Sequence, residues 1–249
     1  MQALVGTKGP FRVRARGGTA VAFLSTALVV QSGSGEPGYD PMQDLPQRKG
    51  IDTRERILEA AQSAVLEKGF AATSIDELIA AVGITKSGFF YHFRDKGELA
   101  RALLNRYIEQ ENALFDDLFR RADELNEDTL HGFLVGLKMM SEMLADLPGG
   151  HPGCLVAAYC YQARLFDKDV RELSASAVLG WRQRFRARLD EIAALYPPRI
   201  AVDLDDLADM LSGVVDGGII LSKVLHDREA LPRQVMLYRE FVRAVFLGT

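Results

Sequence analysis

The sequence predicts an all-α protein: three helices at the N-terminal end of the globular part, followed by a larger helical body. Three observations predict it. From residue 53 onward, apolar residues recur at helical spacing, the period of a helix with one buried face. Ser, Thr and Asp stand just before these runs and Gly or Pro just after them, where helices start and stop. No segment alternates apolar and polar residues as a half-buried strand does.

The first helix is expected over residues 53–68, with Ile57, Leu58, Ala61 and Val65 on one face. Gly69 is a natural stop, and Phe70 turns back into the core. Ser74 opens the second helix, with Glu77 at the capping-box spacing. Ile75, Leu78, Ile79 and Val82 form its apolar face, and Gly83 permits a left-handed turn out of it. The third helix is short, over residues 86–93, with Thr85 as its cap. Asp95 caps a fourth helix, with Glu98 again three residues on and Leu99, Leu103, Leu104 and Tyr107 inside. Longer helices follow over 97–122, 128–146, 153–164, 168–196, 203–226 and 232–247, with breaks at Pro148-Gly149-Gly150, Pro152-Gly153, Pro197-Pro198 and Pro232. Domain boundaries are expected at 1–47, 48–97 and 98–249.

The 249 residues, 48% apolar and 26% charged, suit an ordinary globular protein of one or two domains. The net charge of −4 does not advertise a polyanionic partner, but its distribution is uneven. Residues 48–110 carry ten basic against nine acidic side chains, and residues 111–249 carry sixteen against twenty-two. An acidic body would keep nucleic acid away from everything but the N-terminal part. Cys154 and Cys160 are too few for a disulfide framework and read as buried, reduced thiols. His151 and Cys154 lack the second close pair a zinc site needs. No phosphate loop, nucleophile elbow or metal cluster is present, so neither enzymatic activity nor a cofactor is expected.

The first 41 residues read differently. Lys8, Arg12, Arg14 and Arg16 precede an apolar run over 19–30 and then a breaker-rich stretch, an outline like that of a signal peptide. The run is short for a membrane span. The preferred reading takes Met42 as the true start and excludes the upstream segment from the fold; a membrane-anchored sensor is the alternative.

Two short helices joined by a glycine turn make a helix-turn-helix. The first must bury an apolar face and fix the angle of the second, which must present small polar residues to base edges in the major groove. Ile79, Val82 and Ile84 meet the first need; Thr85, Lys86, Ser87 and Gly88 meet the second. The stretch GITKSGFFYHFRDKGEL, residues 83–99, strongly resembles the recognition segment of the TetR family of regulators, and AAQSAVLEKGFAATSIDELIAAVG before it fits as well. The resemblance covers residues 53–107. It implies that Thr85, Lys86, Ser87 and Tyr91 face bases or nearby backbone, with Gly88 allowing close approach. It also implies that His92 and Lys96 approach phosphates, that Thr73 touches backbone, and that Phe89 and Phe93 are core. Phe90 stands where many members carry Tyr, so its phosphate contact passes to Tyr91 or His92.

A single recognition helix reads few base pairs, so a two-fold dimer on a DNA operator is expected. The last two helices suit the interface. Leu204, Leu207, Leu211, Val214, Val215, Ile219 and Ile220 line one, with Gly213, Gly217 and Gly218 for close approach; Val235, Tyr238, Phe241, Val242, Val245 and Phe246 line the other. The resemblance further implies an effector cavity in the middle helices, with Phe115, Phe119, Phe133, Met139, Met140, Met143, Tyr159, Tyr161, Phe166, Trp181 and Phe185 as the pool that could line it. A small, largely apolar effector would shift the fourth helix and release a cytoplasmic repressor from DNA. A regulator controlled by a protein partner is the other reading.

Overall fold

In the computed structural model, backbone is described for residues 45–248 and side chains for residues 52–248. The expectations for residues 1–41 lie outside the described residues. Nine α-helices and one short 3-10 turn, Ala163–Leu165, make up the regular structure among the described residues, with no strand. The helices are α1 (Leu45–Lys68), α2 (Ile75–Val82), α3 (Lys86–His92), α4 (Lys96–Leu125), α5 (Thr129–Ala145), α6 (Leu155–Tyr161), α7 (Lys168–Leu195), α8 (Leu204–Leu225) and α9 (Ala230–Leu247). No helix of the described residues is long and apolar enough to cross a membrane.

Local chemistry sets most boundaries. Ser74 accepts from the Glu77 amide, Thr85 from Gly88, Asp95 from Glu98, Asp128 from His131 and Asp167 from Val170, each satisfying a first-turn donor. A cap of this kind contributes about 1 kcal/mol. Gly83 leaves α2 at φ 72, as the turn requires. Gly69, at φ 86, ends α1 and leaves space for Gln162: a Cβ there would stand 2.3 Å from its Nε2.

Several boundaries differ from expectation: α4 runs on to Leu125, α6 spans only Leu155–Tyr161, and two helices start early. Helix α1 starts at Leu45 rather than 53, because Pro46 is harmless in a first helical turn and Asp52 and Thr53 do not break a helix already under way. Helix α9 starts at Ala230 and takes Pro232 into its first turn, where the missing N–H would have had no helical acceptor. The expected domain boundary at 47/48 falls inside α1, and that at 97/98 in the first turn of α4.

Two apolar clusters result. The head cluster joins Ile57, Leu58, Ala61 and Val65 of α1 to Leu78 and Val82 of α2, Phe89, Phe93, and Leu99, Leu103, Leu104 and Tyr107 of α4. It continues into Leu155, Val156 and Tyr159 of α6 and Val170 of α7. The body cluster packs Phe115, Phe119, Phe133, Leu137, Phe185 and Leu189 against Leu207, Leu211, Val235, Tyr238, Val242 and Phe246. Helix α4 belongs to both, its first half in the head and its second in the body. Gly136 lets α5 meet α4 closely, since a Cβ there would lie 2.5 Å from the Phe119 ring.

Candidate nucleic-acid interface and effector cavity

Helix α3 is held by its two phenylalanines. Phe89 and Phe93 are fully buried, with ring centroids 5.7 Å apart. Their burial turns the opposite face outward: Thr85, Lys86, Ser87 and Tyr91 are exposed, and Tyr91 is 82% accessible. The Thr85 hydroxyl accepts from the Gly88 amide at 3.1 Å and lies 3.0 Å from Ser87 Oγ. Gly88 carries no side chain between these groups and the surface. Lys86 reaches only a distant, solvent-exposed contact with Asp76 at 3.9 Å, so its charge stays available. His92 is half-buried, and burial together with nearby Arg54 lowers its pKa.

Two expected positions differ. Thr73 is 1% exposed and its hydroxyl donates to the Gly69 carbonyl at 3.0 Å, so it closes the α1–α2 turn instead of facing DNA. Lys96 points inward: Nζ donates to the Phe70 carbonyl at 2.6 Å and sits 4.4 Å from the Phe70 ring centre, and burial lowers its pKa. Phe90 is 42% exposed, with its ring against Phe89, and flanks the outward face. Arg54 over the Phe93 ring and exposed Arg94 add positive charge nearby, although Glu98 engages Arg94 at 3.0 Å.

The body contains a cavity of about 60 Å³ between α4, α5, α7, α8 and the segment before α6. Of the residues expected to line one, Phe115, Met140, Trp181 and Phe185 do. Phe119 and Phe133 stack on each other in the body core, Tyr159 and Phe166 stack in the head cluster, and Tyr161 is exposed. Missed were the polar lining groups: Tyr107, Glu111, His151, Cys154, Ser212 and Asp216. Burial pushes Glu111 up to about 7 and, aided by Asp216, Cys154 up to about 12; burial and then Lys223 hold His151 down at about 4. Cys154 is partly buried, whereas Cys160 is exposed, contrary to the expectation of two buried thiols. Among the described residues no three His, Cys, Asp or Glu side chains are grouped to hold a metal ion.

The apolar residues of the last two helices divide. Leu207, Leu211, Ile219, Val235, Tyr238, Val242, Val245 and Phe246 are buried within the chain, which corrects their expected place at an interface. Gly218 serves the same packing, its hypothetical Cβ falling 2.7 Å from Leu231. The outer face of α8 instead carries Met210, Gly213, Gly217, Ile220, Leu221 and Val224, and α9 adds Leu237. Positions 210, 213, 217, 220 and 224 repeat at the heptad interval, with open space beside both glycines.

A buried-phenylalanine helix presenting small polar residues, set by a glycine turn against a second helix, defines a helix-turn-helix. Residues 57–103 match the sequence profile described as bacterial regulatory proteins, tetR family. It is 31% identical over 96 residues to the probable HTH-type transcriptional regulator ArpR of Pseudomonas putida, covering 39% of this chain and 43% of that one. To the HTH-type transcriptional regulator TtgR, also of Pseudomonas putida, it is 35% identical over 63 residues, covering 25% of this chain and 30% of that one. The matched segments thus span less than half of either relative's length. The fold is similar over 78% of this chain and 96% of the other to a TetR transcriptional regulator from Chloroflexus aurantiacus, with a TM-score of 0.65 at 24% identity.

Proposed function

We propose that the chain is a homodimeric, sequence-specific DNA-binding repressor, working in the cytoplasm and released from its operator by a small molecule with a largely apolar body. The observation that carries the reading is the outward face of α3: Thr85, Lys86, Ser87 and Tyr91 are exposed on a helix that buried Phe89 and Phe93 cannot let turn. Base edges are read by Thr85, Ser87 and Tyr91, with Gly88 allowing approach; Lys86 and His92 serve phosphates. Thr73 has no part in the contact, and Lys96 acts by holding the turn beneath. Repression is the simpler sign, because occupying an operator needs no contact with polymerase.

The cavity is connected to the head by side chains. Cys154 lines it and caps α6. On α6, the Tyr159 hydroxyl donates to the Ala100 carbonyl of α4 at 3.0 Å, and its ring packs on Phe70 and Phe166. Just beyond, Gln162 accepts from the Ala71 amide at 2.9 Å, in the α1–α2 turn. A ligand that parts α4 from its neighbours therefore moves the helix-turn-helix through α4 and α6 together. It shifts the equilibrium only by its difference in affinity for the two arrangements.

Selection of the full chain against random duplex DNA, followed by titration of the enriched site across a salt series, tests this. The expected result is one enriched palindromic site, a steep loss of affinity with salt, and a shallower log–log slope, by about one, for Lys86→Ala. No enrichment over random DNA would overturn the reading.

A further inference from the structure

We infer that the effector is an organic cation, a protonated amine or quaternary ammonium on an aromatic or aliphatic body, held by the Glu111 and Asp216 carboxyls of the body cavity. The inference rests on reading that cavity as the effector site and names the class of ligand it takes.

Neither Lys nor Arg lines the cavity, and its single base, His151, is kept neutral by burial and by Lys223, which is spent on the Pro152 carbonyl at 2.5 Å. The two acids differ from the paired acids of the body in being buried without a basic partner. Asp209 is paired with Arg182, Asp123 with Arg188 and Asp205 with Arg186. Glu111 has no hydrogen-bond or ion-pair partner among the described residues, and Asp216 meets only the Cys154 thiol. Burial raises the pKa of both, so each ionises at a cost until a positive charge arrives. Around them stand Phe115, Trp181 and Phe185, whose ring faces attract a cation and its apolar body alike. These rings favour an organic cation over a hydrated metal ion. Trp181 Nε1 is buried with no acceptor, a second polar group on this wall without a protein partner.

Size links binding to movement. At about 60 Å³ the cavity is well below the roughly 150 Å³ of a void that holds benzene. It accommodates the ammonium head, and the rest of the ligand must part α4, α7 and α8.

Trp181 is the only tryptophan of the chain, so its fluorescence reports on this wall directly. The full chain is titrated with benzylamine, benzyltrimethylammonium, benzyl alcohol and benzoate, following Trp181 emission and the melting temperature. The two cations are expected to bind at least tenfold tighter than benzyl alcohol, and benzoate weakest. Glu111→Gln is expected to remove that preference while benzyl alcohol binding stays within threefold. Asp216→Asn repeats the test at the other carboxyl, and selectivity among the four probes on the unaltered chain needs no variant. Alcohol or benzoate binding as tightly as the cations, a preference indifferent to both substitutions, or no response to either cation at 10 mM each overturns the inference. Cation selectivity in a chain that enriches no DNA sequence would overturn the regulator reading alone.

Discussion

Glu111 is the residue where burial and chemistry conflict most openly. Its folded pKa of about 7 exceeds its ordinary 4.5, so the unfolded chain releases this proton first. Its contribution to stability is full below pH 4.5 and is lost as the pH rises through about 7, on the order of 3 kcal/mol in all. His151 slopes the other way: held at about 4 against an ordinary 6.5, it contributes above pH 6.5 and loses that contribution as the pH falls through 4. The two partly cancel in the wild type. Glu111→Gln removes only the falling part, so the variant's advantage should grow from pH 5 to pH 7 and then level, as read from urea midpoints. Parallel curves for the two proteins would contradict the burial of a lone carboxyl. Much of this was hidden in the sequence, where an acid on a helix reads as solvated; the usable signal was spacing, because Tyr107, Glu111 and Phe115 stand four apart on the inner face of α4. Thr73 and Lys96 show the converse limit. Both residue types suit a DNA surface, and only the path of the α1–α2 turn decides that one bonds Gly69 and the other Phe70.

Among the elements, the head was legible because each helix there has one apolar face and a chemical stop at each end. Ile57, Leu58, Ala61 and Val65, or Leu78 and Val82, admit one inward direction, and all six are buried. Helix α8 is different. It is apolar on both sides, with Leu207, Leu211 and Ile219 inward and Met210, Ile220 and Val224 outward, so periodicity cannot say which side meets the chain's own core. The glycines separate the two roles once α9 is in place. Gly218 stands so close to Leu231 that a Cβ there would lie 3.0 Å from the Leu231 Cα, whereas a Cβ at Gly213 or Gly217 would meet nothing within 4 Å among the described residues. Gly218→Ala should therefore push α9 off α8 and cost about 1–3 kcal/mol, whereas Gly217→Ala should be neutral or slightly stabilising as a helix-interior replacement. Denaturant unfolding of the two variants distinguishes them, and equal midpoints would contradict the α8–α9 packing.

For the molecule as a whole, the unpartnered stripe of α8 and the single recognition helix raise the same requirement. Val224 is 70% exposed at one end of a heptad-spaced row that runs back through Ile220, Gly217 and Gly213 to Met210, and such a row buries itself against a second helix of like pattern. A two-fold pairing along α8, with Leu237 of α9 at its flank, would place two copies of α3 on one duplex, each reading a half-site. Ile220→Arg sets a charge in the middle of that row and should yield a monomer of unchanged helicity by sedimentation equilibrium and circular dichroism. Because one α3 then holds the site alone, affinity for the selected DNA should fall at least tenfold. Leu179→Arg is the control: Leu179 is an exposed leucine of α7 off the stripe, and its variant should keep both dimer and affinity. An Ile220→Arg chain that still sediments as a dimer would move the interface away from α8. A monomer that still binds the palindrome as tightly would show that the two recognition helices are not joined through α8.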